Sequence, residues 1–307
     1  MSDKILKVNG ISKTYGKFKA VDNASFELEK GKIYGFIGQN GAGKTTIIRM
    51  LAGVSIPDTG TIEIFGDSTP KGLSEGRKRI GAIVENPALY MKISAYDNIK
   101  IQQMLYGVKN PGLADELLEL VGLQAWGKKK VKDFSLGMRQ RLGIAMALVG
   151  NPELLILDEP VNGLDPMGIV EIRQLLIKLN QERNITILIS SHILSELYQL
   201  ATDYIVINKG QIIEKLTLAQ LEEKCEKSVV IQVEDMDRAK DVVVNVLKSE
   251  KYQILEHNII KIFDYSERVR DVALAMMEAK VIVTYLNVTG ESLEQYFVHL
   301  IGGASNV

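Results

Sequence analysis

The octet Gly38-Gln-Asn-Gly-Ala-Gly-Lys44-Thr45 stands between an apolar run, IYGFI, and a helical one, TTIIRMLAG. It fits the pattern G-x-x-x-x-G-K-[ST] in the strand–loop–helix setting that gives the pattern its meaning. Glycines let backbone N–H groups turn inward around phosphates, and the start of a helix adds positive potential. Lys44 has the reach to meet the outer phosphates, and the Thr45 hydroxyl suits Mg²⁺. Gly38, Asn40, Gly41, Gly43, Lys44, Thr45 and Thr46 are therefore the candidate phosphate-binding residues.

A second polar group follows the apolar run Leu154–Leu157, where LLIL gives way to Asp158, Glu159 and Pro160. A Mg²⁺-nucleotide needs a carboxylate at the end of a neighbouring strand to hold the metal, which is the place of Asp158. Glu159 is then free to polarise the water that attacks the γ-phosphate, as a general base near the metal and not on it. An isolated Asp-Glu after a strand would read as a helix cap or a solvated turn. The phosphate loop reverses that reading.

Upstream of these acids, Phe134-Ser-Leu-Gly-Met-Arg-Gln140-Arg141 resembles the LSGGQ signature of ABC-type ATPases. Ser135 and Gly137 are retained, while Leu136 and Met138 stand where the family more often has Gly and Gln, so the loop is stiffer and less polar. Further elements resemble the family in the same order. Tyr15 in SKTYG is similar to the aromatic that stacks on adenine, Asp165 in GLDP to the D-loop aspartate, and His192 after ITILI to the switch histidine that contacts the γ-phosphate. Glu85 stands where most of the family has a glutamine whose oxygen reaches the metal and whose loop touches the membrane subunit. A glutamate there resembles the ATPases of bacterial exporters for lantibiotic immunity and bacitracin resistance. An anion at this position needs an offsetting charge, expected from the metal or from a cation of the membrane subunit.

The resemblance spans roughly residues 4–225. It implies ATP and Mg²⁺ as ligands, with Thr45, Asp158 and Glu85 around the metal and Glu159 and His192 at the reacting phosphate. It also implies a homodimer or heterodimer of ATPase subunits, in which the signature loop of one completes the site of the other, working on a separate integral membrane permease. The alternative is a soluble, non-transport ABC ATPase acting on a macromolecular partner. Such proteins that work alone usually carry two ATPase cores or a long coiled coil, and this chain shows one core and no sustained heptads.

The elements that must position these residues are legible as β-branched runs at Ile33–Ile37, Thr61–Phe65, Ile80–Val84, Leu154–Leu157, Ile185–Ile189 and Tyr204–Ile207. LLIL and ITILI lack polar alternation, as strands of a parallel sheet covered on both faces do. The expected class is α/β, a P-loop NTPase core with a helical insert over about residues 86–150. After about Lys209 the pattern becomes β-α-β-β-α-β, the order of a ferredoxin-like α+β domain. The expected domains are 1–225 and 226–307, the second ending in an amphipathic helix that carries Leu293 and Phe297.

With 37 Lys and Arg against 38 Asp and Glu, the net charge of −1 gives no electrostatic argument for nucleic acid. The run Lys128–Lys132 reads as a solvated loop, since no aromatics interleave it. The single cysteine, Cys225, fits a reducing compartment. No apolar stretch approaches the roughly 20 residues of a membrane span, and MSDKILKVNG lacks a signal peptide's apolar region. The expected location is cytoplasmic, peripheral on the inner face of the cell membrane through the partner.

Overall fold

The computed structural model describes residues 4–290 and 292–302. The chain divides into two compact units, Met1–Leu218 and Ala219–Val307. Residues 303–307 of the expected second domain lie outside the described residues.

In the first unit, β1 (Lys4–Tyr15) and β2 (Phe18–Glu29) form an antiparallel hairpin, and β3 (Ile33–Ile37) leads through the glycine-rich loop into α1 (Lys44–Leu51). Next come β4 (Thr59–Ile64), α2 (Pro70–Arg77) and β5 (Ile80–Ile83). The insert carries α3 (Ala95–Tyr106), α4 (Leu113–Leu120) and α5 (Leu136–Ala147). It is followed by β6 (Leu154–Asp158), α6 (Pro166–Arg183), β7 (Thr186–Ser191), α7 (Leu194–Tyr198), β8 (Asp203–Asn208) and β9 (Gln211–Thr217).

The main sheet has the order β5-β6-β7-β3-β8-β9, parallel except at β8–β9. Every residue of β3, β6 and β7 is buried, which is why their sequences are continuous apolar runs instead of alternating ones. The helical insert leaves the sheet after β5 and returns into its parallel neighbour β6, and Leu136 and Gln140 at the start of its α5 come beside the acids that follow β6. The strand near Thr61–Phe65 lies elsewhere, in a separate antiparallel sheet of order β2-β1-β4. That sheet shares one apolar cluster with β3 and α1, including Phe26, Phe36, Ile47, Leu51 and Ile62.

The second unit comprises α8 (Leu218–Cys225, which begins at the division), β10 (Ser228–Val233), α9 (Met236–Asp241) with a π-helical turn at Val242–Val246, β11 (Tyr252–Leu255), β12 (Ile259–Ile262), α10 (Val269–Glu278), β13 (Val283–Thr289) and α11 (Leu293–Gly302). Its strands run β11-β12-β10-β13, antiparallel throughout. Leu255 pairs with Ile259, so three residues, Glu256 to Asn258, turn the chain between β11 and β12, and His257 and Asn258 take left-handed φ of 61° and 57° to do so. Val229, Ile231, Val243, Ile260, Ile262, Val272 and Met276 form its own core.

Candidate nucleotide-binding site

Parallel register brings the chemistry together. Ile37, the last residue before the glycine-rich loop, pairs with Ser191, and Asp158 pairs with Ser190 on the other side of the same strand. The loop after β3, the histidine after β7 and the acids after β6 therefore emerge in one row at the carboxyl ends of adjacent strands. In open α/β sheets that edge is where ligands bind.

The loop is shaped by what cannot fit beside it. A Cβ on Gly38 would meet the Ile207 carbonyl at 2.5 Å, and one on Gly43 would meet the Ala20 carbonyl at 2.6 Å. Gly43 also holds φ at 107°, in the region open to glycine and costly for other residues. It caps α1 without a side chain, and the first turn holds no acidic residue. The orphan N–H groups of that turn and the helix dipole are thus presented to a phosphate. Lys44 is buried, at 4 % exposure, and its Nζ donates to the carbonyls of Gly38 (2.7 Å) and Gln39 (3.3 Å).

A cavity of about 430 Å³ opens at this strand edge, lined by Asn40, Thr45, Glu85, Asn86, Leu136, Gln140, Asp158, Glu159 and Asn162. Asp158 is 1 % exposed; its Oδ1 accepts from Ser190 Oγ at 2.6 Å, and its Oδ2 is buried with no hydrogen-bond partner. An ionised carboxylate oxygen buried in this way costs free energy unless a cation or donor meets it. With the Thr45 hydroxyl on the same wall, the donor set is all oxygen and suits Mg²⁺.

Glu159 takes φ of 47°, so the chain turns off the strand as its side chain enters the cavity. Its N–H donates to Ser190 Oγ (2.9 Å), its Oε1 lies 3.3 Å from Lys44 Nζ, and its Oε2 lies 3.1 Å from His192 Nδ1 and 3.3 Å from Asn162 Nδ2. Ser190 thereby fixes both acids at once. It lies near the end of β7, two residues before His192, and its place opposite Asp158 comes from strand register. Just beyond, Ser191 Oγ donates to Glu196 Oε2 at 3.3 Å, and burial holds the Glu196 carboxyl above the usual carboxylate range.

Glu85, like Glu159, is left-handed, with φ of 62°. Its Oε1 lies 2.5 Å from Arg49 Nη2 on α1. Beside the metal and the membrane subunit, from which the sequence leads one to expect the offsetting charge, this chain thus places a cation of its own next to Glu85.

The remaining candidates are placed around the cavity and not in its lining. Tyr15 is half-exposed at the tip of the β1–β2 hairpin, whose returning strand brings the Ala20 carbonyl to Gly43, and Lys13 Nζ lies 5.7 Å from its ring centre. Ser135 caps α5 by accepting from Met138 N–H (3.2 Å), and Asp165 caps α6 by accepting from Gly168 N–H (3.1 Å). A Cβ on Gly137 would lie 3.8 Å from Leu164, and one on Gly163 would lie 3.3 Å from Leu136, so the signature segment and the GLDP turn touch within the chain. Gln140, Asn162, Arg49 and Ser190 had no role assigned from sequence. Gln140 Oε1 is a further buried acceptor without a partner on the cavity wall.

Residues 21–162 match the protein family described as "ABC transporter". A second match, to an "AAA domain, putative AbiEii toxin, Type IV TA system", covers residues 128–197, the stretch holding both acids and His192. The chain is 43 % identical over 301 residues to the bacitracin transport ATP-binding protein BcrA of Bacillus licheniformis, covering 98 % of each chain. It is 45 % identical over 209 residues to the lantibiotic transport ATP-binding protein SrtF of Streptococcus pyogenes, covering 68 % of this chain and 89 % of that one. Among solved structures it resembles cbiO1 of Clostridium perfringens, part of an ABC transporter complex, with a TM-score of 0.65 and 26 % identity over 80 % of this chain and 97 % of that one. It also resembles a dimeric ATP-binding cassette in a post-hydrolysis state with ADP and Pi, with a TM-score of 0.62 and 25 % identity over 69 % of this chain and 98 % of that one. The likeness to BcrA runs beyond the catalytic motifs into the second unit, and with the geometry of the strand edge it leads to one family: the chain belongs to the ATP-binding, ATP-hydrolysing subunits of ABC transporters.

Proposed function

We propose that this subunit binds MgATP at the cavity beside the glycine-rich loop and drives an exporter of peptide antibiotics or similar compounds through a separate integral membrane permease. The observation that carries the transport half of this reading is the full-length likeness to a bacitracin transport ATP-binding protein. No helix among the described residues is long and apolar enough to cross a membrane. The working location is the cytoplasmic face of the membrane that holds that permease.

The residues supply binding, orientation and proton control. Backbone N–H groups of the loop and the first turn of α1 hold the phosphates, and Lys44 turns from its own loop carbonyls toward the outer ones. Thr45 and Asp158 would hold Mg²⁺, and both line the cavity together with Glu85. Mg²⁺, when bound, neutralises phosphate charge. Ser190 keeps Asp158 aimed at the metal and fixes the backbone at Glu159, whose carboxylate takes the proton of the attacking water. His192, 3.1 Å from Glu159, orients that carboxylate and would meet the γ-phosphate of a bound nucleotide. Tyr15 stacks on the adenine, and Ser135, Gly137 and Asp165 complete the site of a second ATPase subunit.

The test has two arms. Affinity purification of the tagged protein from detergent-solubilised membranes should recover an integral membrane protein encoded with it. ATP should convert the monomer to a dimer on size exclusion, and Ser135→Arg should abolish that dimer while leaving monomer ATP binding intact. Recovery of soluble partners alone, or a dimer indifferent to Ser135→Arg, would refute the corresponding half of the reading.

A further inference from the structure

The cavity is lined by three carboxylates, Glu85, Asp158 and Glu159, and no cationic side chain is part of that lining. Lys44 is engaged by two loop carbonyls and by Glu159. Asp158 faces the position suited to Mg²⁺. The charge of Glu85 is therefore left for another group, and Arg49 meets it at 2.5 Å.

Arg49 is well placed for this independently of Glu85. It lies four residues after Thr45, on the same flank of α1, and in the last turn of that helix, where the dipole favours a cation. We propose that Arg49 is a positioning residue for MgATP binding: it holds the Glu85 carboxylate one turn down the flank of α1 from Thr45, so that an acid is tolerated beside the phosphates. The left-handed backbone at Glu85 confines where its side chain can go, and the ion pair selects among those positions. Both side chains are about half-exposed, so the pair adds little to stability, and its consequence lies in where the negative charge is placed.

This inference rests on the proposed MgATP site, and the experiment separates the two. MgATP affinity of the full chain is measured by calorimetry for the wild type, Arg49→Met, Arg49→Lys, Glu85→Gln and the Arg49→Met/Glu85→Gln pair, with thermal melts to check folding. Releasing an uncompensated carboxylate beside the phosphates should weaken binding about 10-fold in Arg49→Met, with Arg49→Lys recovering most of it. The double variant should return to within about threefold of wild type, because the offending charge is gone. Glu85→Gln alone should bind tighter, by up to about threefold at low salt, since it frees Arg49 for the phosphates. A double variant as weak as Arg49→Met, or an Arg49→Met protein with wild-type affinity, would overturn the inference. Should Arg49→Met fail to fold, Glu85→Gln decides: tenfold weaker binding would make the carboxylate itself a required ligand and the pairing irrelevant. A wild type that fails to bind MgATP would remove the proposed function and this inference together, whereas the other contrary outcomes remove the inference alone.

Discussion

In the first unit Asp158 Oδ2 and Gln140 Oε1 are buried at the cavity without a hydrogen-bond partner, whereas in the second the buried hydroxyls of Ser228 and Ser249 are paired, with Thr289 at 3.0 Å and Asp264 at 2.6 Å. Backbone strain divides in a related way. In the second unit the non-glycine residues with positive φ are Lys248, His257, Asn258 and Lys280, two of which lie in the β11–β12 turn. In the first, seven described non-glycine residues hold that conformation, and two of them, Glu85 and Glu159, stand after adjacent strands and line a cavity. Strain and unsatisfied polarity raise the free energy of a fold, so they persist where a ligand relieves them or a reaction uses them. The unpartnered buried acceptors therefore mark the cavity of the first unit as the place for a ligand, while among the described residues of the second unit no buried side-chain polar atom lacks a partner.

The largest expected effect is at Glu159. Glu159→Gln should reduce steady-state phosphate release by about 10²–10⁴-fold, the range for a positioned base. Because Glu159 also pairs with Lys44, the same change should leave ATP affinity intact or tighten it, while Lys44→Ala should lose binding. Wild-type turnover in the glutamine variant would remove the catalytic meaning of the strain at this strand end, and half of the comparison with it.

Legibility from sequence followed the range of the interactions involved. The glycine-rich loop, the acids after LLIL and the all-buried strands are local patterns, and each was readable in one stretch. The helical insert was equally readable, because β-branched runs stop over residues 86–150. By contrast β1, β2 and β9 are not among the strands expected from β-branched runs, and for β1 the reason is plain. β1, KILKVNGISKTY, has register shifts along both of its edges and a left-handed Gly10, so the period of two is broken within the strand. Ser190 and Arg49 were missed for a different reason. Their meaning comes from contacts with Asp158, Glu159 and Glu85 that are 31 to 36 positions away in the chain, and those depend on register and helix docking.

The second unit offers the complementary test. Ile231 is fully buried on β10 within the core of that unit, so Ile231→Ala should destabilise it by about 2–5 kcal/mol in denaturant melts through lost burial and a residual cavity. MgATP affinity should stay within about twofold, since the nucleotide-binding residues lie in the first unit. A tenfold loss of affinity in protein that remains folded would mean that the second unit takes part in the nucleotide site.

The smallest expected effect sharpens the electrostatic side of the comparison. Glu196 on α7 is half-buried and sits next to the strand end that carries His192. Burial raises its folded pKa, and the negative charge of Glu159 adds to this; the Ser191 hydrogen bond and His192 oppose both. For an acid whose folded pKa is raised, the folded state binds the proton more tightly than the unfolded one. Its stabilising contribution is complete below the unfolded value of about 4.3 and is lost as pH rises through the folded pKa. Glu196→Gln removes this dependence, since the amide stays neutral and keeps an oxygen for the Ser191 hydroxyl. The melting temperature of the variant relative to wild type should therefore climb as pH rises above about 4 and then level off, by about 1–2 °C, because the side chain is only partly buried. Parallel melting curves across that range would show that the carboxyl is already relieved in the folded protein, and that the tension at this sheet edge is confined to the residues that line the cavity.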